Sequence, residues 1–180
     1  MMCLLKLNLN IPIVNMDIDI VLENNRKNFK IVKNNEVLVT GSKLKWYSHE
    51  TDFFFSNKTY KIKKKSFWSS RYNIFESGYL KGEIRFLGKY FFSFLGKDKP
   101  NITYTMSIKK PRGWFRAETL YTLNDSNNNY VLSVNYKWKK WKEVYKADIG
   151  ESIYENYELL AYTLFLIRLK HYRDSAATGV

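Results

Sequence analysis

The sequence predicts a mainly β protein: a single antiparallel β-barrel of roughly 10–12 strands enclosing a hydrophobic C-terminal α-helix. Three observations predict it. Much of the 180-residue chain alternates apolar and polar residues with a period of two, the pattern of strands with one buried face. Turn-forming residues recur at short spacing between those runs. Only the last segment changes to a helical pattern, and its centre is apolar on every side.

Taken in order, LKLNLNIPI (5–13) sets Leu5, Leu7, Leu9, Ile11 and Ile13 on one face, with Pro12 suited to an edge or a bulge. MDIDIVL (16–22) repeats the pattern with Asp17 and Asp19 outward. NFKIV (28–32) and EVLVT (36–40) flank Asn34-Asn35, a tight hairpin signal. KLKWYS (43–48), DFFFS (52–56) and TYKIKKKSFW (59–68) continue the meander. RYNIF (71–75) and YLKGEIRFL (79–87) flank the turn Glu76-Ser77-Gly78. KYFFSFL, NITYTMSIKK, WFRAETLYTL and YVLSVNYKWKK complete the series. Their joins, GKDKPN, KPRG and NDSNNN, are rich in turn residues.

The chain then changes character. Ser152-Ile153-Tyr154-Glu155 has the form of a capping box, and a helix is expected over about 153–173. Arg168, Lys170, His171 and Arg173 fall in its expected last turns, where cations complement the helix dipole. LLAYTLFLI (159–167) is apolar on all faces apart from the hydroxyls of Tyr162 and Thr163. Such a helix must be buried, and at about half of the roughly 20 residues a membrane span needs, it is too short for lipid. It is expected inside the barrel, giving one domain over 1–174 and a flexible tail over 175–180.

Strands from Leu5 to Trp141 closing on ELLAYTLFLIRLK (158–170) form a layout that resembles the tubby-like superfamily. That group includes tubby C-terminal domains, LURP-one-related proteins and phospholipid scramblases. The resemblance spans nearly the whole chain and implies a barrel filled by its C-terminal helix, with a phospholipid partner. The chain departs from scramblases in having one cysteine, Cys3, in place of a cysteine cluster. It shows no acidic calcium loop. The resemblance carries no individual binding residue over.

Composition points the same way. The formal net charge is +13, from 30 Lys and Arg against 17 Asp and Glu, which favours anionic polymers or surfaces. A lone cysteine excludes an internal disulfide and a cysteine-based zinc site, and fits a cytoplasmic protein. No signal-peptide core is present in LLKLNLNIPIVN (4–15), where Lys6, Asn8 and Asn10 interrupt the apolar residues.

Catalytic signals are weak, and no enzyme activity, cofactor or metal is expected. HExxH, G-x-S-x-G and P-loop patterns are all absent. His49 reads as a turn residue, and His49 and His171 are far apart in sequence. Asp17 and Asp19 read as the solvated face of a strand. Glu151, Glu155 and Glu158 read as compensation of the helix dipole.

The basic runs carry the functional expectation. In VNYKWKKWK (134–142), Val134, Tyr136 and Trp138 share a core face, while Lys137 and Lys139 point out. Lys139-Lys140 breaks the alternation, and Lys142 follows Trp141. KIKKKSFW (61–68) sets Lys61, Lys63 and Lys65 on one face, with Lys64 opposite. These seven residues, Lys61, Lys63, Lys65, Lys137, Lys139, Lys140 and Lys142, are the candidate lipid-binding set. The expected partner is an anionic membrane surface or phospholipid headgroup, met by a cytoplasmic protein at the membrane periphery. Single-stranded nucleic acid is the alternative partner, provided Trp138 or Trp141 is exposed for base stacking. A rim-site enzyme of unknown chemistry is the remaining alternative. A generic solvated face that keeps strand edges apart is the non-functional reading of the same lysines.

Overall fold

The structure, a computed structural model, describes residues 18–23, 26–43, 50–87, 89–94, 102–110, 118–139, 142–150 and 157–178. Twelve strands and one helix follow in order. They are β1 (Ile18–Glu23), β2 (Asn28–Lys33), β3 (Glu36–Lys43), β4 (Thr51–Phe55), β5 (Lys58–Lys64) and β6 (Tyr72–Glu76). Then come β7 (Tyr79–Leu87), β8 (Lys89–Phe94), β9 (Ile102–Lys109), β10 (Glu118–Asn124), β11 (Tyr130–Lys139), β12 (Lys142–Ile149) and α1 (Tyr157–Thr178).

Each strand pairs antiparallel with its sequence neighbour, and β1 pairs with β12, so the sheet closes into a barrel. Closure needs curvature, which register shifts supply in three hairpins: β2–β3, β6–β7 and β10–β11. Asn34-Asn35, Ser56-Asn57 and Ser77-Gly78 make two-residue turns with positive φ at both positions. That left-handed geometry matches the strand twist and is where Asn and Gly are favoured. Gly41 has a packing reason as well. It pairs with Phe29 across β2–β3, and a Cβ there would lie 2.2 Å from the Phe29 ring.

Alternation fills the interior. Ile18 and Ile20, Tyr60 and Ile62, Tyr72 and Ile74, and Tyr121 and Leu123 point inward and are buried. The helix fills the space they surround: every residue from Leu159 to Ile167 is at most 6% exposed. Tyr162 sits among aromatic rings, edge-on to Phe53, Tyr60 and Phe92 at 5.5, 6.4 and 5.8 Å. Thr163 donates its hydroxyl proton to the Leu159 carbonyl at 2.8 Å, which removes the cost of burying it. No helix is long and apolar enough among the described residues to cross a membrane.

Several expectations change. KEVYKADI (142–149) forms a full strand, β12, with Tyr145, Ala147 and Ile149 inward; it was not expected. The helix runs to Thr178, so residues 175–178 are helical where a flexible tail was expected. Local bonds extend it: Lys170 reaches Asp174 at 2.5 Å, and Ser175 donates to the His171 carbonyl at 3.0 Å. Arg168, Lys170, His171 and Arg173 therefore lie before the last turn, which carries no cation. The strand expected over 5–13, most of the one expected over 43–48, and the capping box lie outside the described residues.

Candidate functional site

An antiparallel closed barrel sorts its strand ends. β1, β3, β5, β7, β9 and β11 all run toward one mouth, and the even-numbered strands start there. The helix enters by the opposite mouth and its C-terminal half reaches this one. Arg168 donates to the backbone carbonyl of Arg26, in the β1–β2 turn. Both lysine-rich segments end at this mouth. β5 delivers Lys61 and Lys63, with Lys65 just past its end. β11 delivers Lys137 and Lys139, and β12 opens with Lys142. Lys140 and Trp141 lie outside the described residues.

The two segments do not share a wall. β5 and β11 stand six strands apart in either direction round the barrel. Lys61, Lys63 and Lys65 therefore flank one side of the mouth, and Lys137, Lys139 and Lys142 the other. Arg26, Lys43, Arg71, Arg85 and Arg168 belong to the same end.

Carboxylates balance this mouth only in part. Glu83 is shared by Lys65 at 3.7 Å, Arg71 at 3.9 Å and Arg85. Lys61 faces Asp52 at 3.8 Å, Lys137 faces Glu118 at 3.3 Å and Arg26 faces Glu143 at 3.6 Å. Exposed pairs of this kind contribute at most about 1 kcal/mol each and weaken with salt. Lys63, Lys139 and Lys142 make no ion pair among the described residues. Burial, then the nearby Arg168, lowers the Lys43 ammonium below its ordinary pKa. Burial also lowers Arg168, against the opposing influence of Tyr145 and Glu143 and with a smaller contribution from Arg26. An anion placed here would offset both the desolvation and the mutual repulsion of these cations.

Aromatic side chains share the mouth. The sequence places Trp138 on the core face with Val134 and Tyr136. Val134 is buried, Tyr136 is half-buried, and Trp138 is 43% exposed. His171 covers Tyr136 at 4.5 Å, and the next inward position of β11 lies beyond that cover. The Arg26 guanidinium sits 5.1 Å over the Trp138 ring instead.

The expected strand over 59–68 stops at Lys64. The Lys65 amide donates to the Arg71 carbonyl at 3.0 Å and closes a hairpin tip. Phe67 and Trp68 stand on that tip, 78% and 91% exposed. Sequence reasoning assigned them no role. The available signal was the Lys63-Lys64-Lys65 run, which breaks the alternation, followed by serines on both sides of Phe67-Trp68. A groove of about 830 Å³ also runs along the outer wall of β2–β5, past Lys30, Thr40, Phe54, Lys61 and Lys63.

Other candidates stay apart. Asp19 is exposed on β1, while Cys3, Asp17, His49, Glu151 and Glu155 lie outside the described residues. Glu158 is held by Lys81 at the opposite mouth. His171 hydrogen-bonds the Tyr121 hydroxyl at 2.7 Å. Burial, reinforced by Lys170, takes its pKa down to about 4, so the ring is neutral at pH 7. Among the described residues, no three His, Cys, Asp or Glu side chains gather as metal ligands would.

The fold and site define a helix-filled antiparallel barrel with one cation-rich mouth. No family model, no curated protein and no solved structure matches this chain.

Proposed function

We propose that this chain is a non-enzymatic binding module that docks on anionic membrane surfaces, with phospholipid headgroups held at the cation-rich mouth. The observation that carries the reading is topological: strand direction brings two lysine segments, distant in sequence, to one end of the barrel. Each basic residue near an anionic leaflet contributes about 1 kcal/mol, so a rim of several suffices for binding. The cytoplasmic leaflet carries such lipids, and we place the protein there. The outer wall is mixed: Val21, Phe54 and Leu120 are exposed on it, but so are Lys61, Lys63, Thr40 and Thr59. Lysines on the lipid face of a barrel oppose insertion, which suits docking by an end. A helix-filled barrel with a phospholipid partner also suits the tubby-like relationship, which we extend to this chain on layout.

The test is co-sedimentation with vesicles of phosphatidylcholine, with and without phosphatidylserine, across a salt series. Binding to the anionic vesicles at low salt, weakening as salt rises, is the expected result. Equal recovery with both lipids would remove the reading.

One observation favours a second reading. Trp138 is 43% exposed beside Lys137 and Lys139, as base stacking on single-stranded nucleic acid requires. A gel shift with short single strands that saturates at low salt, with no vesicle binding, would put nucleic acid first.

A further inference from the structure

We infer that the β5–β6 hairpin tip is an interfacial wedge, inserting Phe67 and Trp68 into the headgroup layer of an anionic bilayer once the mouth has docked. The inference rests on the membrane reading above and specifies how that site engages lipid.

The physical case begins with exposure. Trp68 is 91% and Phe67 78% exposed, side by side on one tip, whereas Tyr79, at 79%, lies at the opposite mouth and carries a hydroxyl. A folded protein gains nothing from displaying two such rings together, because each leaves a large apolar area in water. Nor is the tip slack. The Lys65 amide bonds to the Arg71 carbonyl, and the Ser69 amide to the Ser66 carbonyl at 3.1 Å. The Ser69 hydroxyl accepts from the Arg71 amide at 3.0 Å. Lys64 donates to the Phe67 carbonyl at 2.5 Å and lies 5.5 Å from the Phe67 ring centre. The display is therefore built into the turn.

Position adds the second argument. The tip lies at the cation-rich mouth, and Lys63, Lys64, Lys65 and Arg71 surround it. Glu83 answers Lys65 and Arg71, at 3.7 and 3.9 Å, and is shared with Arg85. Aromatic rings flanked by cations match the bilayer interface, where Trp sits at headgroup depth and Lys reaches the phosphates. Base stacking fits the tip less well. Trp68 meets Phe67 edge-on, with ring planes at 88° and centroids 4.9 Å apart. Lys64 approaches the Phe67 ring as well, so the pair offers no run of parallel open faces.

Two contributions to binding follow, one sensitive to salt and one resistant. The test uses the full chain, the double variant Phe67→Ser/Trp68→Ser, and Trp68→Phe. Each is sedimented with phosphatidylcholine–phosphatidylserine vesicles from low to high salt, and tryptophan quenching by brominated lipid is read in parallel. The double variant is expected to keep its melting temperature and to lose roughly tenfold or more in vesicle partition, with the loss dominating at high salt. Bromolipid is expected to quench the wild type and to quench Trp68→Phe far less, although four of the five tryptophans remain. If the wild type sediments but the double variant matches it at every salt, and quenching is the same in Trp68→Phe, insertion is overturned and electrostatic docking stands. If the wild type does not sediment, both readings fall. Quenching of Trp68 by a short single strand and not by bromolipid would overturn the wedge in favour of base stacking.

Discussion

The two mouths of the barrel handle charge in opposite ways. Where the helix enters, the charges form a closed chain. Lys58 contacts Glu76 at 2.6 Å, Glu76 contacts Lys81 at 2.5 Å, and Lys81 holds both oxygens of Glu158 at 2.8 and 2.9 Å. Burial opposes ionisation of Glu76, but hydrogen bonds from Lys58 and Lys81 outweigh it and hold its pKa below the ordinary value. Lys33 donates to the Tyr157 hydroxyl at 3.3 Å, and Tyr130 donates to Asp148 at 2.7 Å. At the other mouth one carboxylate, Glu83, serves three cations, and Lys43 and Arg168 are lowered by burial and by nearby cations. Charge that is paired at short range anchors the helix in the sheet. Charge left in excess at a rim is available to a partner outside the molecule.

Charge reversal gives the largest expected effect. Lys63→Glu/Lys65→Glu and Lys137→Glu/Lys139→Glu should each weaken anionic-vesicle binding by about 2 kcal/mol, roughly 30-fold. All four together should cost about 4 kcal/mol, roughly a thousandfold, because both flanks face the same surface. Binding that depends on one pair alone would mean that one wall, not the mouth, meets lipid. Stability should change by no more than about 0.5 kcal/mol at Lys63 and Lys139, and by about 1 kcal/mol at Lys65 and Lys137, which lose their pairs with Glu83 and Glu118, read by denaturant unfolding.

The paired mouth should behave in reverse. Glu158→Gln removes one of the two carboxylates that hold Lys81. It should reduce stability by about 2 kcal/mol while leaving vesicle binding unchanged. A neutral effect on unfolding would show that this network does not anchor the helix.

The smallest effect concerns pH. The folded state holds His171 neutral down to about pH 4, while the unfolded chain protonates it near 6.5. Below pH 6.5 the unfolded state therefore binds the extra proton. This contribution is complete above pH 6.5 and is lost as pH falls toward 4. The melting temperature should drop by a few degrees across that window. His171→Gln should show a shallower fall; an identical fall would assign the loss to carboxylates.

Much of this architecture is legible in the sequence, because alternation and turn chemistry are local signals. Asn34-Asn35 and Ser77-Gly78 form the hairpins their residues favour, and the all-round apolar helix is enclosed. β12 was missed because its inward series includes Ala147, a weak apolar signal, among Lys142, Glu143, Lys146 and Asp148. The site was harder. Six hairpin steps separate β5 from β11, so their common direction follows from counting. Their placement on opposite flanks follows only from the β1–β12 closure. The Phe67-Trp68 tip looked like strand because Phe and Trp favour strands, and pairing stopped three residues earlier.

Docking orientation tests the central claim most directly. With Cys3 replaced by serine, single cysteines at Lys139 and at Asn127, one at each mouth, can carry an environment-sensitive fluorophore. The measurement is quenching of each label by lipid-borne quencher in phosphatidylserine-containing vesicles. The account predicts strong quenching at position 139 and little at 127. Equal quenching at both, or stronger quenching at 127, would contradict it.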